Sequence, residues 1–88
     1  MKWTVKIDKV ALKALAKITK KDRDRILQFL KVDLLNFDNP RSSGKALQGD
    51  LKGLWRYRVG DYRLIAQIHD NELVILVIEI GHRKDVYN

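Results

Sequence analysis

Four segments of the chain have the apolar content and spacing of β-strands. Residues 2–7 alternate apolar and polar side chains, and residues 54–60, 62–69 and 73–80 form three further strand-like segments. The last segment is apolar on both faces, so we expect it to be an interior strand of a sheet. Asp70-Asn71 predicts a short hairpin turn before that strand.

Between the first strand and the other three, apolar residues recur at helical spacing. The first predicted helix covers residues 10–18, with Asp8 as its N-cap. The second begins at about residue 20 after the N-cap Thr19 and ends before Asn39-Pro40. The residues on the two apolar faces are Ala11, Ala14, Leu15, Ile18, Ile26, Leu27, Leu30, Leu34 and Phe37.

The order of these elements is β-α-α-β-β-β. Two helices this short cannot bury their apolar faces alone, so we expect a helical hairpin packed on a small, antiparallel-dominated sheet. The chain has no repeat, low-complexity stretch or linker, and we predict a single α+β domain over residues 1–88.

Charge and composition narrow the class of function. The net charge is +7 in 88 residues, which favours a polyanionic partner such as nucleic acid or the ribosome, although a basic surface also serves solubility. With no cysteine and two poorly spaced histidines, no metal site is expected. No signal peptide is apparent, and the longest apolar run falls far short of the ~20 residues of a membrane span. We therefore expect a soluble, cytoplasmic protein that does not bind membranes.

Three arginines fall close together in the predicted meander. Arg56 and Arg58 are two residues apart on one strand, so both point to the same face. Gly60-Asp61 predicts a turn that brings Arg63 back beside them. Like charges on neighbouring strand positions repel, so such a cluster is typical of a phosphodiester site rather than of a stabilising feature.

The element order and several motifs together resemble the RelE family of toxins, within the RelE/ParE superfamily. The motifs are Lys45-Ala46-Leu47-Gln48-Gly49, Leu54-Trp55-Arg56-Tyr57-Arg58, Gly60-Asp61-Tyr62-Arg63-Leu64 and Gly81-His82-Arg83-Lys84-Asp85-Val86-Tyr87. The resemblance spans essentially the whole chain. It implies a RelE-like fold and a toxin that enters the ribosomal A site and cleaves the messenger RNA there, without a cofactor.

The resemblance also implies a basic catalytic set. By position in the motifs, its members are Arg56, Arg58, Arg63, Arg83 and Tyr87. The two first-strand positions are lysines in the best-known member and arginines here. In the implied reaction the ribose 2′-OH attacks its own phosphate and expels the 5′-oxygen. Arginine forks suit the phosphate and the developing charge, so we assign Arg63 and Arg83 to both.

The acid and the base are harder to assign. Cationic surroundings favour the tyrosinate form of Tyr87, which makes it our candidate base; the alternatives are a nucleobase stacking platform or a tyrosine that packs on the sheet edge. A guanidinium is a poor proton donor at neutral pH, so Arg58 acts mainly by charge. His82 has a suitable intrinsic pKa for proton transfer, but we favour a turn residue that points away from Arg83.

Other basic residues are candidate contacts to RNA or the ribosome. They are Arg41, Lys45 and Lys52 in loops, and Lys13, Lys17, Lys20 and Lys21 around the helices. The alternative for each is an ordinary solvated charge. Trp55, Tyr57 and Tyr62 alternate away from the arginines and are predicted to belong to the core rather than to stack on bases.

The resemblance implies partners as well as chemistry. These are a RelB-like antitoxin with an acidic helical segment, the ribosomal A site with its messenger, and promoter DNA reached only through the antitoxin complex. The best-known member has a further C-terminal helix that its antitoxin displaces. This sequence stops at Asn88, so we expect inhibition by direct coverage of the arginines. Two other functions stay open: a ParE-like inhibitor of DNA gyrase, and a non-catalytic binding or co-repressor module.

Overall fold

The computed structural model describes residues 3–36 and 39–82. Its helices and strands are β1 (Thr4–Ile7), α1 (Lys9–Lys17), α2 (Lys20–Gln28), β2 (Lys45–Ala46), β3 (Trp55–Val59), β4 (Tyr62–His69) and β5 (Val74–His82). A π-helical turn (Phe29–Asp33) and a 3₁₀ turn (Leu34–Asn36) extend α2, and further 3₁₀ turns lie at Pro40–Ser43 and Gly49–Leu51. No helix in the described part of the chain is long and apolar enough to cross a membrane.

The strands form one five-stranded sheet in the order β1-β5-β4-β3-β2. β1 pairs with β5 in parallel, and the other neighbours are antiparallel. The sheet confirms that the doubly apolar β5 is an interior strand, because β1 and β4 flank it. The turn before β5 is longer than expected: it covers residues 70–73, with the Leu73 amide donating to the Asp70 carbonyl at 3.3 Å.

The helices cover one face of the sheet. Ala11 and Leu15 of α1 and Ile26 of α2 are buried against side chains from β3, β4 and β5. The core residues contributed by these three strands are Tyr57, Val59, Leu64, Ala66, Ile75, Val77 and Ile80. This arrangement confirms the predicted α+β architecture, in which each short helix buries its apolar face on the sheet.

Helix starts follow the predicted N-caps, with one difference. The Thr19 hydroxyl accepts a hydrogen bond from the Asp22 amide at 3.3 Å, as expected of a cap. Asp8 occupies the N-cap position of α1, but its side chain makes no capping hydrogen bond. The helix therefore depends on burial of its apolar face more than on its cap.

Two features of the sheet were absent from the sequence-based prediction. The first is β2, a two-residue edge strand that pairs with β3. The second is a bulge in β5: Ile65 pairs with Glu79 but Ala66 pairs with Val77, so Ile78 is the extra residue. Strict alternation from Val77 would point Glu79 into the core. The bulge instead leaves Ile80 at 4% exposure in the core and moves Glu79 to the opposite face.

Candidate functional site

The sheet face opposite the helices, which we call the open face, carries the three predicted arginines of the meander. Arg58 on β3 pairs directly with Arg63 on β4, and Arg56 pairs with Ile65. Directly opposed residues have Cβ atoms about 4.5–5.5 Å apart. The prediction that the turn at Gly60-Asp61 returns Arg63 beside the first pair is therefore confirmed.

The direction of these arginines is set by the core on the other face. Tyr57 and Val59 alternate with Arg56 and Arg58, and both are buried, Tyr57 completely. A one-residue slip of β3 would expose Tyr57 and Val59 and push two guanidinium groups into the core. The hydrophobic packing thus holds both arginines on the open face, and Tyr57 is confirmed as a core residue.

The edge strand adds a fourth cation. Lys45 pairs directly with Arg56, so its side chain shares the open face. We call Lys45, Arg56, Arg58 and Arg63 the basic cluster. Lys45 and Arg58 are exposed, while Arg56 and Arg63 are half-buried. The cluster therefore combines two well-solvated cations with two partly buried guanidinium groups.

A second area, which includes three apolar side chains, adjoins the basic cluster on the same face. The register places Ile65, Leu76 and Val74 there, with Glu79 opposite Ile65. Ile65 is 4% exposed yet lies outside the helix-side core, and Leu76 and Val74 are half-buried. The polar residues paired with Leu76 and Val74 share this face; they are Thr4, Lys6, Gln67 and His69. The open face therefore combines the basic cluster with an area of mixed apolar and polar side chains.

Arg41 makes interactions that the sequence did not reveal. Its two terminal nitrogens donate to the two carboxylate oxygens of Asp70, each at 2.8 Å. The guanidinium lies 5.6 Å from the centroid of the half-buried Trp55 ring. The hydrogen bonds raise the pKa of Arg41 and lower the pKa of Asp70. Arg41, a candidate RNA contact, is thus held by a carboxylate of its own chain.

Among the candidate RNA contacts only Lys45 joins the basic cluster. Lys13 and Lys17 are exposed on α1, and Lys20 and Lys21 are exposed on α2, in the layer behind the sheet. Lys20 forms an exposed ion pair with Asp24 at 3.7 Å. Lys52 is exposed just after the Gly49–Leu51 turn.

His82 lies on the helix side of the sheet, away from the basic cluster. It is the last residue of β5 rather than the predicted turn residue, and it pairs with Tyr62. Their ring centroids are 5.7 Å apart in an edge-to-face arrangement. Because Gly81 pairs with Arg63, the alternation of β5 directs His82 to the opposite face. Sequence proximity to Arg83 therefore does not bring His82 to the arginines.

A polar cleft surrounds His82 and Tyr62. Its other lining residues include Asp22 and Arg25 of α2 and Asp61 of the β3–β4 turn. Burial, followed by the nearby Asp22 carboxylate, raises the pKa of Tyr62. No group of three or more potential metal ligands occurs in residues 3–36 and 39–82.

Two members of the predicted catalytic set, Arg83 and Tyr87, lie outside the described residues. Sequence reasoning missed Asp70 as the partner of Arg41, because the two are 29 residues apart and nothing local connects them. It also missed Glu79 on the open face, since the bulge that places it there has no clear sequence signal.

The sequence matches a known protein family and two toxins from Mycobacterium tuberculosis. A family profile described as the ParE toxin of type II toxin-antitoxin system, parDE, matches residues 5–87. Toxin RelE of Mycobacterium tuberculosis is 35% identical over 85 residues, covering 97% of this chain and 86% of that protein. Toxin RelG of the same organism is 30% identical over 87 residues, covering 99% and 98%.

The similarity extends to a solved toxin-antitoxin complex. A chain of RelBE2 from Mycobacterium tuberculosis superposes with a TM-score of 0.86 at 28% identity, covering 97% of this chain and 95% of that chain. Profile, relatives and structure agree over nearly the full length. The chain therefore belongs to the RelE/ParE superfamily of type II toxins.

Proposed function

We propose that the protein is a ribosome-dependent endoribonuclease that cleaves messenger RNA in the ribosomal A site and so inhibits translation. The observation that carries the proposal is the direct pairing of Arg58 with Arg63, with Arg56 and Lys45 in the adjacent row. Directly opposed like charges destabilise a sheet. A bound phosphodiester would offset that repulsion with its own negative charge.

The proposed chemistry is cleavage by the neighbouring 2′-OH. That oxygen loses its proton to the base and attacks phosphorus, the bond to the 5′-oxygen breaks, and solvent water protonates the leaving 5′-oxygen. The products are a 2′,3′-cyclic phosphate and a free 5′-OH. We assign Arg63 and Arg83 to the phosphate oxygens, where their charge stabilises the pentacoordinate transition state. Arg56 and Arg58 raise the local positive potential. Arg83 follows the strand end at which Gly81 pairs with Arg63, which supports placing both arginines on one phosphate.

Proton transfer is assigned to Tyr87, with the ribosome as an essential partner. A cationic environment favours tyrosinate, which can accept the 2′-OH proton. Guanidinium groups stay protonated and are weak general acids, so the basic cluster has little power over free RNA. Ribosomal positioning of the message supplies the missing orientation. His82 is left out of the proposed catalytic set because it lies on the other face.

We further propose that a RelB-like antitoxin neutralises the toxin by covering the open face. An amphipathic helix with acidic residues would place its apolar side on Leu76 and Val74 and its carboxylates on the basic cluster. The similar RelBE2 chain comes from a toxin-antitoxin complex, which supports this kind of partner. Promoter DNA would be reached only through that complex.

The test is cleavage of a defined message on ribosomes with an empty A site, with the 5′ ends mapped. We expect A-site cuts by the wild type and a ~10²–10³-fold slower rate for Arg63→Ala, as for loss of one transition-state donor. Arg25→Ala is the matched control, because it removes an arginine from the cleft on the other face. Equal rates for the two variants, or efficient cutting of ribosome-free message, would contradict the proposal.

Inhibition of DNA gyrase is the second candidate function, and the match to the ParE toxin profile favours it. A supercoiling assay with purified gyrase separates the two. Inhibition of supercoiling by a folded wild type that leaves ribosome-bound message intact would establish the gyrase function and exclude the nuclease.

A further inference from the structure

The edge strand β2 is too short to hold itself in place. It has only two residues, yet it positions Lys45 opposite Arg56 in the basic cluster. A two-residue pairing offers few ladder hydrogen bonds, and isolated short pairings are marginal in water. The position of Lys45 therefore depends on contacts outside β2, which come from the buried Leu47 on one side and from the segment that precedes β2 on the other.

The first contact fixes this segment on β3. The buried Tyr57 hydroxyl donates to the Pro40 carbonyl at 2.7 Å. Gly44 packs so tightly that an added Cβ would lie 2.9 Å from Tyr57 Cε1 and 3.1 Å from the Arg56 carbonyl oxygen. The chain thus passes directly over Tyr57 on its way to Lys45.

The second contact ties the segment to the far end of β4. Arg41 forms its two-fold hydrogen bond with Asp70 in the turn before β5, and it crosses Trp55 on the way. The side chains of Arg41 and Asp70 are 35% and 59% exposed, so the pair adds little to global stability. Its fork geometry nevertheless restricts the orientation of the segment strongly.

We propose that the Arg41–Asp70 pair is a positioning device for Lys45, which holds the lysine beside Arg56 so that both contact one RNA phosphate. The inference rests on the proposed nuclease function and goes beyond it, because it gives Asp70 a role in RNA binding through another residue. Arg41 then acts as an anchor rather than as a direct RNA ligand.

The test is a double-mutant cycle on ribosome-dependent cleavage, with kcat and KM measured for Asp70→Asn, Lys45→Ala and the double variant. Asp70→Asn is expected to raise KM by ~2–10-fold with kcat unchanged, as for one side chain that must be ordered on binding. In the Lys45→Ala background the same change is expected to have no further effect. Asp70→Glu, which keeps the carboxylate, should have a KM close to that of the wild type.

Asp50→Asn is the matched control, because it removes an exposed carboxylate from the neighbouring 49–51 turn. A more positive protein binds RNA more tightly through charge alone, so this control should leave KM unchanged or lower. A KM increase for Asp50→Asn, an unchanged KM for Asp70→Asn, or equal effects of Asp70→Asn with and without Lys45 would overturn the inference.

Amide hydrogen exchange separates this inference from the nuclease proposal. Asp70→Asn should speed exchange selectively at residues 45–47, where the Leu47 amide donates to the Leu54 carbonyl at 3.0 Å. Unchanged exchange there would overturn the positioning role even if the wild type cleaves message. If Asp70→Asn speeds exchange at residues 45–47 but the wild type does not cleave the message, the nuclease function is refuted and only the anchoring of β2 by the Arg41–Asp70 pair stands.

Discussion

Replacement of Arg58 by glutamine should stabilise the fold while it weakens function. Arg58 is exposed and directly opposite Arg63, so its removal relieves a like-charge cross-strand pair. Such pairs cost about 0.2–1 kcal/mol, and solvent exposure of Arg58 favours the lower half of that range. For a domain of this size, ~0.5 kcal/mol corresponds to an increase in Tm of about 2–4 °C.

Thermal and urea unfolding at two salt concentrations test the Arg58→Gln prediction. The gain should be largest at low salt and shrink at ~0.5 M salt, where screening already reduces the repulsion. Lys52→Gln is the matched control, because it removes an exposed cation that is not paired across a strand with an arginine. A lower Tm for Arg58→Gln, or a gain equal to that of Lys52→Gln at every salt concentration, would show that Arg58 and Arg63 do not repel each other measurably.

Two further perturbations test the packing behind the basic cluster. Gly44→Ala should lower the free energy of unfolding by ~1–3 kcal/mol in urea titrations, because the new methyl group would lie 2.9 Å from the Tyr57 ring. The exposed Ser43→Ala is the control and should change this free energy little. An unchanged free energy of unfolding for Gly44→Ala would contradict the tight contact. Burial raises the pKa of Tyr57 from 10.0 to about 12. The stabilisation that the neutral hydroxyl contributes to the fold is therefore complete below pH 10 and is lost as pH rises through the pKa of the folded state. This alkaline loss of stability should be absent from Tyr57→Phe. An identical alkaline profile for that variant would count against the buried hydroxyl.

The direction of the arginines could be predicted from the sequence because burial and alternation depend on the same residues. Tyr57 and Val59 must face the core, so Arg56 and Arg58 cannot. A tight turn at Gly60-Asp61 leaves little choice of register, and Arg63 follows. Local patterns were therefore sufficient for the centre of the basic cluster.

The edge of the cluster could not be predicted in the same way. The two residues of β2 have no periodicity to detect, and their place depends on Tyr57, Arg41 and Asp70, which are distant in sequence. The bulge at Ile78 shifts the alternation of β5 partway along the strand. The local sequence is compatible with several conformations at β2 and at the bulge, and tertiary packing selects one of them. For this reason neither feature could be predicted from the sequence pattern.

Whether cleavage requires the ribose 2′-OH at the cut site is the most direct test of the proposed nuclease function. Ribosomes are programmed with a message whose ribose at the mapped cut site carries either the 2′-OH or a 2′-deoxy substitution, and the wild-type protein is added. The proposed mechanism predicts that the ribose message is cleaved in the A site to a 2′,3′-cyclic phosphate and that the deoxy message stays uncut. Equal cleavage of both messages, or cleavage of neither by a folded protein, would contradict it.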